Sequence, residues 1–324
     1  MCRSGRVRDN DGLRRLLVGG AVLGLLLVAG GGDVAVSAGL PIAAERGVRS
    51  MCGRTARPSA RWRHVVWIWM ENASFAEIMG GSSAPSFHQF ARQCGLATNY
   101  HAITHPSLPN YIAATSGSDW KISDDDPPAS HPLLGASIFS QLTAAGMSWR
   151  SYEESMPSNC ARSSSGLYAV KHNPAAYYTP IRGQCRKWDV PMGTTSSGRL
   201  LADLQNDGLP SFSFLTPNVC DDMHSCPIAI GDAWLHRWVT EIVGSTAYRS
   251  STTAVFVTFD EGSARSNRVV TLVISSTTPP GTKSSTSFDH YSLLKTTEQL
   301  LGVPTRLGHA ADASTLSMRT AFHL

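Results

Sequence analysis

Glu71 and Asn72 stand directly after the apolar run His64 to Met70, and an imidazole, a hydroxyl and an amide follow downstream in His105-Pro106-Ser107-Leu108-Pro109-Asn110. Later clusters repeat the pattern of polar groups just beyond segments that ought to be buried: Asp221-Asp222-Met223-His224, Asp260-Glu261 and Asp289-His290. Carboxylates gathered in one crevice repel and raise one another's pKa, a penalty that bound divalent cations remove. Carboxylate oxygens combined with imidazoles suit zinc, manganese, iron or magnesium. A serine hydroxyl is a weak nucleophile at neutral pH until a base or a metal activates it. The set therefore points to metal-assisted phosphoryl transfer, in which two cations about 3.5–4 Å apart can clamp the attacking and leaving oxygens. His105 is a candidate to protonate the leaving group or bind phosphate.

Each cluster alone also has a plainer reading. Glu71-Asn72 could cap a helix beginning at Ala73, and Asp260-Glu261-Gly262 could be an ordinary turn. His105 could orient its loop, His224 could belong to a surface loop, and His290 could lie in a helix-cap region. The conjunction of all of them at segment ends favours a site.

Elements that would position these residues are legible as periodic segments. His64 to Met70 is β-branched and aromatic and reads as an interior strand, as do Ser211 to Leu215, Ala254 to Phe259 and Val269 to Ile274. Near-continuous apolar runs fit a sheet covered on both faces. Helical spacing occurs in Pro85 to Cys94, Ala136 to Ala145, Gly198 to Leu204, Asp232 to Val243 and Tyr291 to Leu301, with Asp232 placed to cap its helix. Alternating strands and helices predict one α/β layered domain. Ligands of open α/β sheets bind beyond the carboxyl ends of the strands. There Glu71, Asp260-Glu261 and the segment Pro217 to His224 would meet.

The chain has 324 residues, 42% of them apolar, with eight Trp, which excludes global disorder. Its net charge of +4 falls to about +2 once residues 1–38 are set aside, too balanced to argue for a nucleic-acid partner. The run Asp124-Asp125-Asp126, before Pro127-Pro128, reads as a solvated loop.

Arg14-Arg15, the apolar stretch Leu16 to Ala29 and the small residues Val36-Ser37-Ala38 read as an export signal over residues 1–38. The protein is expected to be secreted, with no stable membrane insertion after cleavage; an uncleaved N-terminal anchor is the alternative. Residues 39–60 read as a flexible segment and 61–324 as the catalytic domain. Cys2 would leave with the signal, and Cys52, Cys94, Cys160, Cys185, Cys220 and Cys226 remain. An even number in an exported chain suggests disulfides, whose pairing sequence alone leaves open. Proximity favours Cys160–Cys185 and Cys220–Cys226, leaving Cys52–Cys94. A zinc cluster is the rival reading, without any CxxC pair to support it. The Ser/Gly/Pro-rich region 155–197 reads as a disulfide-pinned insertion.

The ordered set MENASF, HPSLPNY, PNVCDDMH, GDAWL, FDEG and FDHYSLLKTTEQLLG, from about Arg63 to Val303, resembles the bacterial phosphoesterase family of secreted acid phosphatases and phospholipases C, within the alkaline-phosphatase superfamily. The resemblance implies a three-layer α/β/α sandwich around a mostly parallel sheet. It implies Ser107 as nucleophile and Asn110 as a hydrogen-bond donor to a phosphoryl oxygen. Glu71, Asp260 and Glu261 would hold a metal beside Ser107, with Asn72 as helper, and Asp222, His224 and His290 would hold a second. The wider superfamily often has a histidine where this chain has Glu261, which leaves open whether there are one or two divalent ions, and whether they are Zn, Mg, Mn, Fe or Ca. The expected activity is acid phosphatase action on monoesters, of a phosphorylated small molecule or a phospholipid such as a phosphoinositide. A phospholipase C acting on diesters and a non-catalytic exported binding protein are the alternatives.

Overall fold

The structure is a computed structural model that describes residues 50–56 and 61–324. The leader expected over residues 1–38 lies outside the described residues, as does most of the segment 39–60. The described part of that segment is not a free tether. Cys52 is buried and bonded to Cys94, and the Arg54 guanidinium donates to the Tyr248 carbonyl at 3.1 Å.

Strands β1 (His64–Met70), β2 (Gly95–His101), β3 (Trp149–Glu153), β4 (Asp189–Pro191), β5 (Phe212–Thr216), β6 (Thr253–Phe259), β7 (Arg268–Ser275), β8 (Thr282–Ser284) and β9 (Phe288–Asp289) form one sheet. Its order is β4-β3-β5-β1-β6-β7-β2-β8, with β9 also beside β2. Neighbours run parallel except where β7 meets β6 and β2. The helices are α1 (Phe75–Gly80), α2 (Pro85–Gln93), α3 (Ser107–Ser116), α4 (Ile138–Ala144), α5 (Arg182–Trp188), α6 (Arg199–Gln205), α7 (Ile228–Gly244), α8 (Thr246–Arg249), α9 (His290–Leu300) and α10 (Arg319–Phe322).

Strand alternation assigns these helices to two faces. Trp67 and Trp69 point one way: the Trp67 indole donates to Thr297 Oγ1 of α9 at 2.9 Å, and the Trp69 ring lies 4.9 Å from that of Tyr111 on α3. Met70 pairs in register with Phe259, one residue out of phase, and Phe259 meets Phe87 of α2 on the opposite face. Every β1 residue after His64 is buried because both faces are covered, which explains its unbroken apolar run.

Asp232 is not the cap of its own helix. It lies within α7, and its carboxylate instead accepts from the Ser86 and Phe87 N–H groups at 3.0–3.1 Å, capping α2 across the face. The insertion adds β4 to the sheet edge and is pinned by Cys160–Cys185. The remaining described cysteines pair as Cys52–Cys94 and Cys220–Cys226. Among the described residues no helix is long and apolar enough to cross a membrane.

Glu298 on α9 gives the fold a pH signature. Burial pushes its carboxyl up to about 7, although Gln141 Nε2 and the Leu307 N–H donate to its Oε1. A carboxyl raised on folding contributes stability that is complete below its unfolded pKa and is lost as pH rises through the folded value. The shift corresponds to about 3 kcal/mol at most. Melting temperature is therefore expected to fall between about pH 4.5 and 7, and Glu298→Gln should flatten that slope. An unchanged slope in the variant would refute the assignment.

Candidate active site

The carboxyl ends of β1, β5 and β6 converge on one pocket. Glu71, the residue after β1, is fully buried; its N–H donates to the Asp222 carbonyl at 2.9 Å, tying the β1 end to the loop that follows β5. Asn72 takes a left-handed φ of 49° and does not cap a helix; α1 starts later, behind Ser74 and Glu77 in a capping box. The Asn72 N–H donates to Asp260 Oδ1 at 3.2 Å, joining the ends of β1 and β6.

Ser107 opens α3, where Pro106 and Pro109 are tolerated because first-turn N–H groups have no helical partner. Ser107 to Asn110 thus forms the first turn of a helix. This puts the Ser107 hydroxyl, only 1% exposed, at the positive end of the helix, donating to Glu71 Oε2 at 3.0 Å and lying 3.5 Å from Asn72 Oδ1. Tyr111, one turn along α3, donates its hydroxyl to the other Glu71 oxygen.

The electrostatics are those of crowded buried acids. Burial, then Asp260 and Asp222, holds the Glu71 carboxyl well above the usual range. Burial and Glu261 push Asp260 up to about 7; burial pushes Asp222 up to about 8 and, with Asp125, Glu261 up to about 7. Asp222 Oδ2 and Asp260 Oδ2 are buried without a hydrogen-bond partner. Such oxygens are costly to desolvate unless something positive meets them. The donor set of Glu71, Asn72, Asp222, Asp260 and Glu261 therefore fits a hard divalent cation. That fit rests on unpaired oxygens and not on a closed shell. Tighter trios of ligand atoms among the described residues occur at Asp124, Asp126 and His131, which are mostly exposed, and at Cys160, Cys185 and Asp189, where the cysteines form a disulfide.

Two of the expected residues have their polar atoms engaged within the protein. Asn110 is buried with its amide committed to the loop before Ser107: Oδ1 accepts from the Ile103 and Thr104 N–H groups at 3.0 Å, and Nδ2 donates to the Thr104 and Pro106 carbonyls at 2.9 and 3.0 Å. It holds the Ser107 loop and has no donor to spare for phosphate. His290 is equally committed, Nε2–H donating to the Asp260 carbonyl at 2.7 Å and Nδ1 accepting from the Tyr100 hydroxyl at 3.0 Å. Both ring nitrogens are thus engaged, and the imidazole braces the backbone of Asp260.

His224 lies at the exposed mouth with Nδ1 against Ser225 Oγ at 2.9 Å, while its backbone N–H donates to Asp222 Oδ1 at 2.7 Å. His105 is half exposed and pairs with Glu261. The Cys220–Cys226 disulfide encloses Asp222 and His224.

Several residues were not expected. His172, from the insertion, is buried with Nε2 3.3 Å from Glu71 and Nδ1 3.3 Å from Asp222, its ring stacked on Tyr111. Its neighbour Lys171 pairs with Asp125 at 2.9 Å, and Asp125 also accepts from the Leu108 N–H at 3.0 Å. The acidic run expected to be a solvated loop thus reaches the residue after Ser107. A cavity of about 650 Å³ lined by Arg61, Trp62, His64 and Asp207 lies at the amino ends of the strands, away from the pocket.

The chain matches the Phosphoesterase family over residues 81–304, a span that includes Ser107, Asp222 and Asp260. A phosphatidylinositol-3-phosphatase of Mycobacterium tuberculosis is 32% identical over 282 residues, covering 86% of this chain and 90% of the relative. An acid phosphatase of Aspergillus fumigatus is 27% identical over 250 residues, covering 73% of this chain and 54% of the fungal protein. Among solved structures, an alkaline phosphatase superfamily protein from Vibrio parahaemolyticus shares the fold, with a TM-score of 0.51 at 12% identity over 80% of this chain and 72% of the other.

Proposed function

This chain belongs to the Phosphoesterase family and is a phosphoric ester hydrolase; from that premise we propose that it is an exported, metal-dependent acid phosphatase whose nucleophile is Ser107. The observation that carries the reading is the Ser107 hydroxyl at the start of α3, hydrogen-bonded to Glu71 among acids delivered by separate strands. Residues 61–324 form the catalytic domain of this reading, with 1–38 as its leader. The substrate is a phosphorylated small molecule, and the mycobacterial relative's name makes a phosphoinositide the lipid candidate.

A divalent cation held by Glu71, Asn72, Asp260 and Glu261, with Asp222 at its edge, would act as a Lewis acid on the hydroxyl and the phosphoryl oxygens. Glu71 Oε2 accepts the Ser107 hydrogen bond and holds that oxygen in place at the start of α3. Asn110 and His290 keep the Ser107 loop and Asp260 in place. The helix terminus and Lys171 oppose the charge that the phosphoryl oxygens carry. In this reading the departing alkoxide is protonated from the open side of the pocket, where His105 and His224 lie. Water then hydrolyses the phosphoserine from that same side.

Purified protein is expected to release phosphate from p-nitrophenyl phosphate and to favour it over the bis(p-nitrophenyl) diester. Exhaustive chelation should abolish release, and added metal should restore it. Full activity after chelation would overturn the metal assignment, and preference for the diester would overturn the monoesterase reading.

A further inference from the structure

We propose that Asp125 is a specificity-determining residue: its carboxylate occupies the two donors that a phosphoryl group would use beside Ser107, so that the substrate must displace it. The inference rests on Ser107 as the attacking residue. Asp125 Oδ1 accepts from the Leu108 N–H at 3.0 Å, and Oδ2 accepts from Lys171 Nζ at 2.9 Å. Leu108 follows Ser107 within the first turn of a ten-residue helix, where N–H groups and the helix dipole favour an anion. Lys171 is the cation whose charge is felt at Glu71, Asp222 and Glu261. One carboxylate spanning a backbone N–H and an ammonium has the geometry of two phosphoryl oxygens. The single Leu108 N–H cannot serve both anions at once, and Asp125 offsets the Lys171 charge that a phosphoryl group would otherwise meet.

The loop can release Asp125 without coming apart. Its side chain is 32% exposed, and the flanking residues have their own anchors. The Tyr177 hydroxyl donates to the Asp126 carbonyl at 3.0 Å, Arg162 to the Pro128 carbonyl at 3.4 Å, and His131 pairs with Asp124. Displacement selects by charge. A monoester dianion outcompetes a single carboxylate for the Lys171 ammonium, whereas a diester monoanion has no charge advantage over Asp125 and carries a second substituent into the same space.

The test uses metal-loaded wild-type protein, Asp125→Asn, and Asp126→Asn as a control that removes the same charge from the same loop. Calorimetric titration with inorganic phosphate and with dimethyl phosphate gives affinities independent of turnover. Asp125→Asn should tighten both, with the diester gaining about tenfold and the monoanion–dianion gap narrowing, because an amide is a weaker competitor for Lys171. Asp126→Asn should bind both as wild type does. Asp125→Ser, which keeps an acceptor near Leu108, serves if the Asn variant melts abnormally. Weaker or unchanged binding in the Asp125 variants, or equal tightening in Asp126→Asn, overturns the proposal. Protein that turns over neither ester would overturn the hydrolytic reading of the site, while these titrations would still decide Asp125.

Discussion

Ser107→Ala is expected to lose phosphate release from p-nitrophenyl phosphate by roughly a thousandfold or more, the usual scale for removing a covalent nucleophile. The loss should fall on kcat. Leu108 N–H, Lys171 and the carboxylate pocket do not depend on the serine oxygen, so inorganic phosphate should bind nearly as before. The fold should also survive. Glu71 keeps the Tyr111 hydroxyl on its other oxygen, and the deleted hydrogen bond is worth about 1 kcal/mol. Rapid quenching of wild-type protein with labelled substrate should trap phosphate on Ser107, and none on the alanine variant. A variant with wild-type kcat would remove Ser107 from the mechanism and, with it, the reason for seeking phosphoserine.

How much of this could be read from the chain depended on which physical signal each residue carries. Strands β1, β5, β6 and β7 are apolar on both faces, and burial of that kind leaves a mark in composition. Strand β2 reads GLATNYH, and its polar alternation with an early glycine hid it. Helix α3 was concealed differently: it is buried along its whole length, so no amphipathic period survives, and its prolines look like a turn. Asp260 and Glu71 were legible because acids directly after buried strands have few structural uses.

Asn110 and His290 show what residue type alone leaves out. Their residue types suit catalysis, but backbone and tyrosine partners consume their polar atoms, and hydrogen-bond accounting needs coordinates. His172 and Lys171 follow no predicted strand and so carried only a weak local signal. They come from the insertion between β3 and β4 and reach the pocket only because that segment folds back over α3. The nearest available sign was the compact run Lys171-His172-Asn173, a cation and an imidazole in an otherwise Ser/Gly/Pro-rich stretch. Asp125 shows the same limit: a charge run is normally solvated, and only the tertiary contact with Leu108 distinguishes it.

Asp260→Asn should separate activity from stability. Asp260 is fully buried, its carboxyl raised to about 7 by desolvation and by Glu261, and one of its oxygens lacks a partner. In metal-free protein at neutral pH this arrangement is a liability, because burial of a partly ionised acid among other acids opposes folding. The asparagine retains an oxygen for the Asn72 N–H and removes the charge. Chelated Asp260→Asn should therefore be more stable than chelated wild type by roughly 1–3 kcal/mol. Catalysis should respond in the opposite direction, since a weakened cation site costs at least about a hundredfold in kcat/KM. Metal should correspondingly raise the melting temperature of wild type strongly and that of the variant weakly, because ligand stabilisation scales with affinity. A chelated variant that melts below chelated wild type would show that Asp260 supports the fold through its charge, and the crowded acids would then need an explanation other than a cation.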